Sequence, residues 1–261
     1  MSAAQAAKGS VTRLVDIVFP GDANHHGTLF GGAGLAHMDK LAFIVASRHG
    51  HVDFVTASCE RIDFKAPAHI GEIVELSGRV TRVGMRSLAV EVALVAEAPL
   101  SGERRLCARG AFNMVAVGEG VERICGRLPP LAPATEDEDD ALRMTELVFP
   151  GDTSHYGSLY GGVALAAMGR AAFVAATRHC RKAVVMASSR RVDFESQVAT
   201  GEIVELVARI VATGRSSMTA EIDLFAESLR SGERRRCARG AFVMVAVDAR
   251  QRPVGLGASA A

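Results

Sequence analysis

The sequence predicts an α+β protein made of two tandem copies of one domain, each a long helix wrapped by a five-stranded antiparallel sheet. Three observations predict it. The first is a gapless internal repeat: VFPGD at Val18–Asp22 returns at Val148–Asp152, and the offset then holds to the end of the second copy. GEIVEL (Gly71–Leu76), SGERR (Ser101–Arg105) and CARGAF (Cys107–Phe112) recur unchanged at Gly201–Leu206, Ser231–Arg235 and Cys237–Phe242. Between Val18–Val117 and Val148–Val247, 52 of 100 positions are identical. A period this long marks a duplicated domain, because solenoid repeats run about 20–50 residues. The second observation is one proline-free stretch per copy, rich in Ala, Leu and Met. The third is a series of runs in which apolar and polar residues alternate, the mark of a sheet with one wet face.

In order along one copy, Thr12–Val18 reads as a short strand and Pro20–Gly27 as a loop. Gly31–His49 reads as a helix, with Arg48 and His49 in its last turn and Gly50 as the terminating glycine. It is apolar nearly all round, so it is expected to be buried. Phe54–Phe64, Ile73–Val83, Ser87–Ala96 and Leu106–Val117 read as strands, punctuated by Gly71, Gly84 and Gly102. The domains are expected at 11–118 and 142–248, paired as an intrachain pseudo-dimer, the commonest association of identical folds. The linker, 119–141, holds PPLAP and the acidic run Glu136–Asp140, which reads as an extended, solvated strap. The tail after Val247 is expected to fray.

Composition narrows the function. The chain has 261 residues, of which 49% are hydrophobic and 23% charged, as in a globular protein. Lys plus Arg is 30 against 29 for Asp plus Glu. That balance argues against a nucleic-acid protein. No apolar run is long enough to span a membrane, and the first residues lack the apolar core of a signal peptide. The five cysteines, Cys59, Cys107, Cys125, Cys180 and Cys237, are odd in number and form no CxxC. Reduced cysteines in a cytoplasmic protein are the expectation, with neither a disulfide framework nor a zinc site. There is no G-x-S-x-G elbow, no P-loop and no metal-ligand spacing, so a reaction here rests on carboxylate, amide and backbone groups.

Asp39 falls among Leu35, Ala42, Phe43 and Ala46 on the helical wheel. An ionised carboxylate on an apolar face is costly unless it is paired or used. It serves either as a reactive group or as a rim carboxylate bonded to water or backbone. Gly31 and Gly32, with Gly161 and Gly162 in the second copy, open the helices. Amides there can hold an oxyanion, or the glycines simply allow a tight turn. Asn24 can bind a carbonyl or close an Asx turn. His25, matched by His155, is an acid–base candidate or a structural loop residue.

Together PGDANHHGTLFGGAGLAHMD and RIDFKAP resemble the hotdog-fold acyl-CoA thioesterases. The duplication is similar to their tandem, double-hotdog branch, which includes cytosolic acyl-CoA hydrolases. The resemblance spans both repeats. It implies two hotdog domains paired through their sheets, with acyl-CoA as substrate and no cofactor, coenzyme A being part of the substrate. It implies that a helix Asp, here Asp39, works with a loop Asn, here Asn24, of the paired domain. The second copy departs at both positions, with Gly169 for the Asp and Ser154 for the Asn, and Gln197 replaces Pro67. One working site per chain is therefore expected, in which Asp39 acts with Ser154 or His155. In it Asp39 activates water or attacks the thioester itself. Arg61, Arg86, Arg191 and Arg215 are candidates for the CoA phosphates. The resemblance also implies a homo-oligomer, a trimer of double-hotdog chains. Two other readings stand beside hydrolysis: a non-catalytic acyl-CoA sensor, and a hotdog hydratase or dehydratase.

Overall fold

The computed structural model describes residues 11–118, 120–124, 126–131 and 141–256. Cys125, the acidic run Glu136–Asp140 and the last five residues lie outside them. The chain divides into two compact units. Unit 1 comprises Met1–Ala96, Arg105–Glu138 and Leu229–Gly232; unit 2 comprises Glu97–Arg104, Asp139–Ser228 and Glu233–Ala261.

The first repeat folds as β1 (Thr12–Ile17), α1 (Gly31–Gly50), β2 (Asp53–Cys59), β3 (Asp63–Phe64), β4 (Ile73–Val83), β5 (Ser87–Glu97) and β6 (Arg104–Val117). The strands lie in the order β1-β4-β5-β6-β2, with β3 also on β6. After a single turn, α2 (Gly120–Arg123), the second repeat gives β7 (Leu142–Leu147), α3 (Gly161–Cys180), β8 (Val184–Phe194), β9 (Ile203–Thr213), β10 (Ser217–Glu227) and β11 (Arg234–Ala246). Its order is β7-β9-β10-β11-β8. The expected strand run at Phe54–Phe64 is thus broken in the first copy. The break lies at 60–62, between β2 and β3, whereas β8 is continuous; both strands bulge at the same place, β2 between Thr56 and Ser58 and β8 between Met186 and Ser188.

The central strands bury alternate residues under the helix. Leu88, Val90, Val92 and Leu94 of β5 are fully buried, as are Met38, Leu41 and Ile44 of α1. Each such side chain contributes about 1.5–3 kcal/mol of burial. The helix is less buried than its apolar composition predicts: Leu35, in its first half, is 39% exposed. Burial is concentrated from Leu41 to Gly50, where β4 packs on it.

Three expectations are corrected. Gly50 does not end α1. His51 takes the left-handed conformation at φ 51°, as Arg181 does after α3, and each N–H bonds back to Ser47 or Thr177. Gly50 is needed for closeness instead, since a Cβ there would meet Phe54 at 2.9 Å and Leu128 at 3.0 Å. Leu128 shows the second correction. It belongs to the expected strap, yet it is 3% exposed and joins the unit 1 core, with Val121 and Ile124 against it. Pro129 O lies 2.8 Å from His49 Nε2. Burial pushes the His49 imidazole down, so the neutral ring donates this bond. Third, residues 248–256 fold back rather than fray. Val254 and Leu256 donate to Ala246 O and Arg215 O at 2.9 Å, and Asp248 caps the turn through Arg250 N and Arg252 N.

Leu128→Ala is accordingly expected to cost about 2–4 kcal/mol in urea unfolding. A solvated strap would lose less than about 0.5 kcal/mol.

Candidate active site

Loop 22–28 is closed by its own side chains. Asn24 Oδ1 accepts from His26 N at 2.9 Å and Thr28 N at 3.3 Å, the geometry of an Asx turn. Ser154 does the same work in the second repeat, accepting from Tyr156 N at 3.3 Å and lying 3.4 Å from Ser158 Oγ. Both residues therefore have a structural task already. His25 and His155 are exposed, with rings 3.8 Å from His26 and Tyr156 respectively.

The loop leads into α1 through Phe30, whose ring lies over Gly32: a Cβ there would meet Phe30 Cε1 at 2.6 Å. Tyr160 covers Gly162 in the same way, at 2.7 Å. Beside each helix start is a cavity. In unit 1 it is about 350 Å³ and is lined by Leu29, Gly31, Phe64, Pro67, Leu94 and Cys107, with Lys65 on its wall. In unit 2 it is about 280 Å³, and Glu195 and Gln197 replace Lys65 and Pro67. Burial pushes the Cys107 thiol up, which makes it wall rather than nucleophile.

The unchanged GEIVEL and SGERR motifs clamp these walls. Glu72 pairs with Arg105 and accepts from His69 N at 2.6 Å, while Arg105 Nε donates to Pro67 O at 2.9 Å. In unit 2, Glu202 pairs with Arg235 at 2.7 Å, and Arg235 donates to Gln197 O at 2.8 Å. Burial raises both carboxyls, but the Arg hydrogen bonds and the backbone donors outweigh it and hold them low. The motifs recur because they build the loop.

Asp39 is half-buried on the flank of α1 that faces β2. Thr56 Oγ1 donates to Asp39 Oδ1 at 2.6 Å, and Met114 Sδ lies 3.5 Å from the same hydroxyl. Thr56 is a site residue that sequence reasoning missed. The signal was the repeat itself: Asp39 with Thr56 becomes Gly169 with Met186. A Cβ at Gly169 would meet Met186 Cε at 3.0 Å, so the polar pair was exchanged as a pair.

Other candidates are not brought together. Gly31 is eight residues from Asp39 on one helix, about 12 Å along the axis. One carbonyl cannot touch the amides opening α1 and also a water on Asp39. Arg61 and Arg191 are exposed and paired with Asp63 at 3.0 Å and Asp193 at 2.7 Å. Arg86 lies in the β4–β5 turn, where its carbonyl accepts from Ala116 N, while Glu60 next to Arg61 bonds Ala111 O. Five residues of β6 separate the two, about 17 Å. Arg215 holds the matching exposed turn of unit 2.

The Thioesterase superfamily model matches residues 26–102 and 156–233, one segment in each repeat. The chain belongs to the thioesterase superfamily. Among solved structures of that superfamily, it is similar to an acyl-CoA hydrolase crystal structure from Agrobacterium tumefaciens. The two are 53% identical, with 95% of this chain and 98% of that one covered, at a TM-score of 0.86. Its tandem hotdog fold is thus the one its superfamily membership implies. It is also similar to the cytosolic acyl coenzyme A thioester hydrolase of Rattus norvegicus, at 24% identity over 91% of this chain and 74% of that protein. An uncharacterized acyl-CoA thioester hydrolase of Bacillus subtilis is 38% identical over 46% of this chain and 69% of its own. Among the described residues, no group of three or more His, Cys, Asp or Glu could hold a metal, and no helix is long and apolar enough to cross a membrane.

Proposed function

We propose that the protein hydrolyses fatty acyl-CoA to a free fatty acid and coenzyme A, with Asp39 as general base. The observation that carries this reading is the Asp39–Thr56 pair: a half-buried carboxylate on an apolar helix, oriented by a hydroxyl, present in one repeat and replaced by Gly169–Met186 in the other. Asp39 takes a proton from water, whose oxygen bonds to the thioester carbon. The C–S bond breaks and the sulfur leaves as the CoA thiol. Charge builds on the carbonyl oxygen, and amides opening a helix, such as Gly31–Gly32 or Gly161–Gly162, stabilise it. The Gly31 amides are too far along α1 to serve Asp39 of the same unit. Ser154 or His155 orients the thioester in the pairing that the resemblance implies, and Asn24 in the other.

The names of the Agrobacterium and rat relatives support the substrate class. The reaction so written uses no cofactor. A cytoplasmic setting fits the substrate and the free cysteines Cys59, Cys107, Cys180 and Cys237. A homo-oligomer, as a trimer of chains, fits the duplicated fold.

The test is turnover of a panel of acyl-CoAs, followed by loss of thioester absorbance so that protein thiols do not interfere. Turnover of at least one chain length is expected. Tight binding with no turnover at any length would make the protein an acyl-CoA sensor, which the missing carboxylate at Gly169 already fits for unit 2.

A further inference from the structure

Unit 1 holds a further cavity, about 1070 Å³, between the β4–β5 turn and the segment that follows α2. Its walls are residues 81–85, 124 and 127–131. It lies apart from the candidate site. Leu128 on its floor packs at Gly50, the far end of α1, about 16 Å along the axis from Asp39.

The floor is aliphatic, and its polar groups are already used. Leu128 belongs to the unit 1 core, and Val83 and Ile124 pack on it. Met85 and Leu131 stand beside them, 74% and 52% exposed. Thr81 Oγ1 donates to Ala89 O at 3.2 Å, Leu128 N donates to Met85 O at 2.9 Å, and His49 donates to Pro129 O at 2.8 Å. Two cations are left over. Arg82 and Arg127 both line the cavity and are exposed, and among the described residues neither guanidinium has an ion-pair partner. Arg79, on the same strand as Arg82, is paired with Glu91 at 3.0 Å. Among the described residues, no carboxylate and no aromatic ring lines the cavity.

Unit 2 shows that the fold does not need this charge. There Leu256 N donates to Arg215 O at 2.9 Å, as Leu128 N does to Met85 O. Leu256 thus stands where Leu128 does, and Gly255 stands where Arg127 does. Ala212 takes the place of Arg82, and Arg215 that of Met85. Both cations and the exposed apolar side chain between them are confined to unit 1.

We propose that this cavity binds an aliphatic carboxylate of the fatty-acid type, with its chain on Val83, Ile124 and Leu128 and its head group on Arg82 and Arg127. An apolar wall with few charged groups is how a small-molecule site is built. A guanidinium fork donates to both oxygens of a carboxylate. A nucleotide base would find no ring to stack on and no free amide or hydroxyl to read it. A bare inorganic anion would leave the apolar floor wet. A carboxylate of this class is what the proposed hydrolysis releases, but the site stands on its own residues and not on that reading.

The test is equilibrium dialysis of radiolabelled decanoate, below its micelle concentration, against wild type and the double variant Arg82→Ala, Arg127→Gly, which carries the residues of unit 2. A fatty acid can also enter a hydrolase site as product, so position is read separately. Decanoate bearing a mid-chain diazirine is photolysed on the protein, and the labelled peptides are read by mass spectrometry. Label is expected in 81–85 and 124–131. The double variant is expected to lose that label and to bind about 3- to 30-fold more weakly there, with its acyl-CoA turnover unchanged. Octanoate should bind more weakly than decanoate, by up to about fourfold per methylene, and decanol more weakly than decanoate. Label confined to other peptides, equal label in the double variant, or no binding overturns the proposal. So does label in 81–85 that coenzyme A abolishes, which would make the cavity a coenzyme A subsite. Binding that emerges only once Glu136–Asp140 are all replaced by Ser would assign the arginines to the chain's own acidic run and overturn it too. Should the double variant misfold, the label map and the comparison with decanol decide on wild type alone. Binding and labelling are read without acyl-CoA, so failure here is separate from failure of the hydrolase reading.

Discussion

Asp39→Asn is expected to lower kcat by about 10²–10⁴-fold, the usual worth of a positioned general base. Asn keeps the shape of the side chain and can still accept from Thr56 Oγ1, now 2.6 Å from Asp39 Oδ1. What it loses is the capacity to take a proton. Substrate contacts are left in place, so KM should move little, and a fall in kcat at constant KM marks an interaction made only in the transition state. Thr56→Val should act in the same direction and more weakly. It removes one hydrogen bond to a charged group, about 1.5–3 kcal/mol, or about 10–100-fold. Both variants should melt near wild type, because Asp39 is half-buried and its loss leaves no closed cavity. The measurement is steady-state kinetics on the best acyl-CoA of the panel. An Asp39→Asn enzyme within about threefold of wild type would place the base elsewhere and return Asp39 to a rim position.

The backbone of this fold was legible because two independent periods agree with each other and the repeat states everything twice. A helix with no proline and strands that alternate leave little room for another reading, and β4, Ile73–Val83, has the predicted bounds. What stayed hidden depends on contact between distant residues. The bulge at Thr56–Ser58 is set by pairing with β6, not by local propensity. Leu128 looks like any linker leucine until Gly50 and Phe54 are seen to make room for it. Gly50 itself was misread because a glycine after a basic helix turn is the common stop signal, and here tight packing claimed it.

The site divides in the same way. Asp39 was legible as a charge on an apolar face, and Gly169 as its loss. Thr56 was not, since a threonine on a strand is ordinary, and only the change to Met186 beside the change to Gly169 exposes it. Asn24 and Ser154 were legible as polar loop residues. The structure gives Asn24 the Asx-turn role that stood beside its functional reading, and gives Ser154 a matching turn role that the sequence did not suggest. The candidate arginines stand in turns and near strand ends, where such side chains are solvated or paired with near neighbours, as Arg61 and Arg191 are.

Glu97→Ala is expected to give the largest loss of stability in the molecule, about 3–5 kcal/mol by chemical unfolding. In unit 2 the Glu97 carboxylate is 1% exposed and is held by three guanidinium groups. Arg178 Nη2 donates at 2.6 Å and Arg181 Nη1 at 2.7 Å, and Arg104 lies at 3.5 Å. Removing the carboxylate strands these cations around an apolar void, and that penalty, rather than the worth of the pair, makes the effect large. Arg181→Ala should cost far less, since that side chain is 38% exposed and water replaces its partner. The pH dependence has a definite sign. Burial raises the Glu97 carboxyl, the Arg178 and Arg181 hydrogen bonds lower it by more, and the balance lies below the usual carboxylate value. A depressed folded-state pKa gives stability that is complete above the unfolded pKa and is lost as pH falls through the folded one. Wild type should therefore lose stability on acidification below the ordinary glutamate range, and Glu97→Gln should flatten that part of the curve. Equal acid sensitivity in wild type and Glu97→Gln would shift the effect to Glu72 and Glu202, whose carboxyls are depressed in the same direction by Arg105 and Arg235.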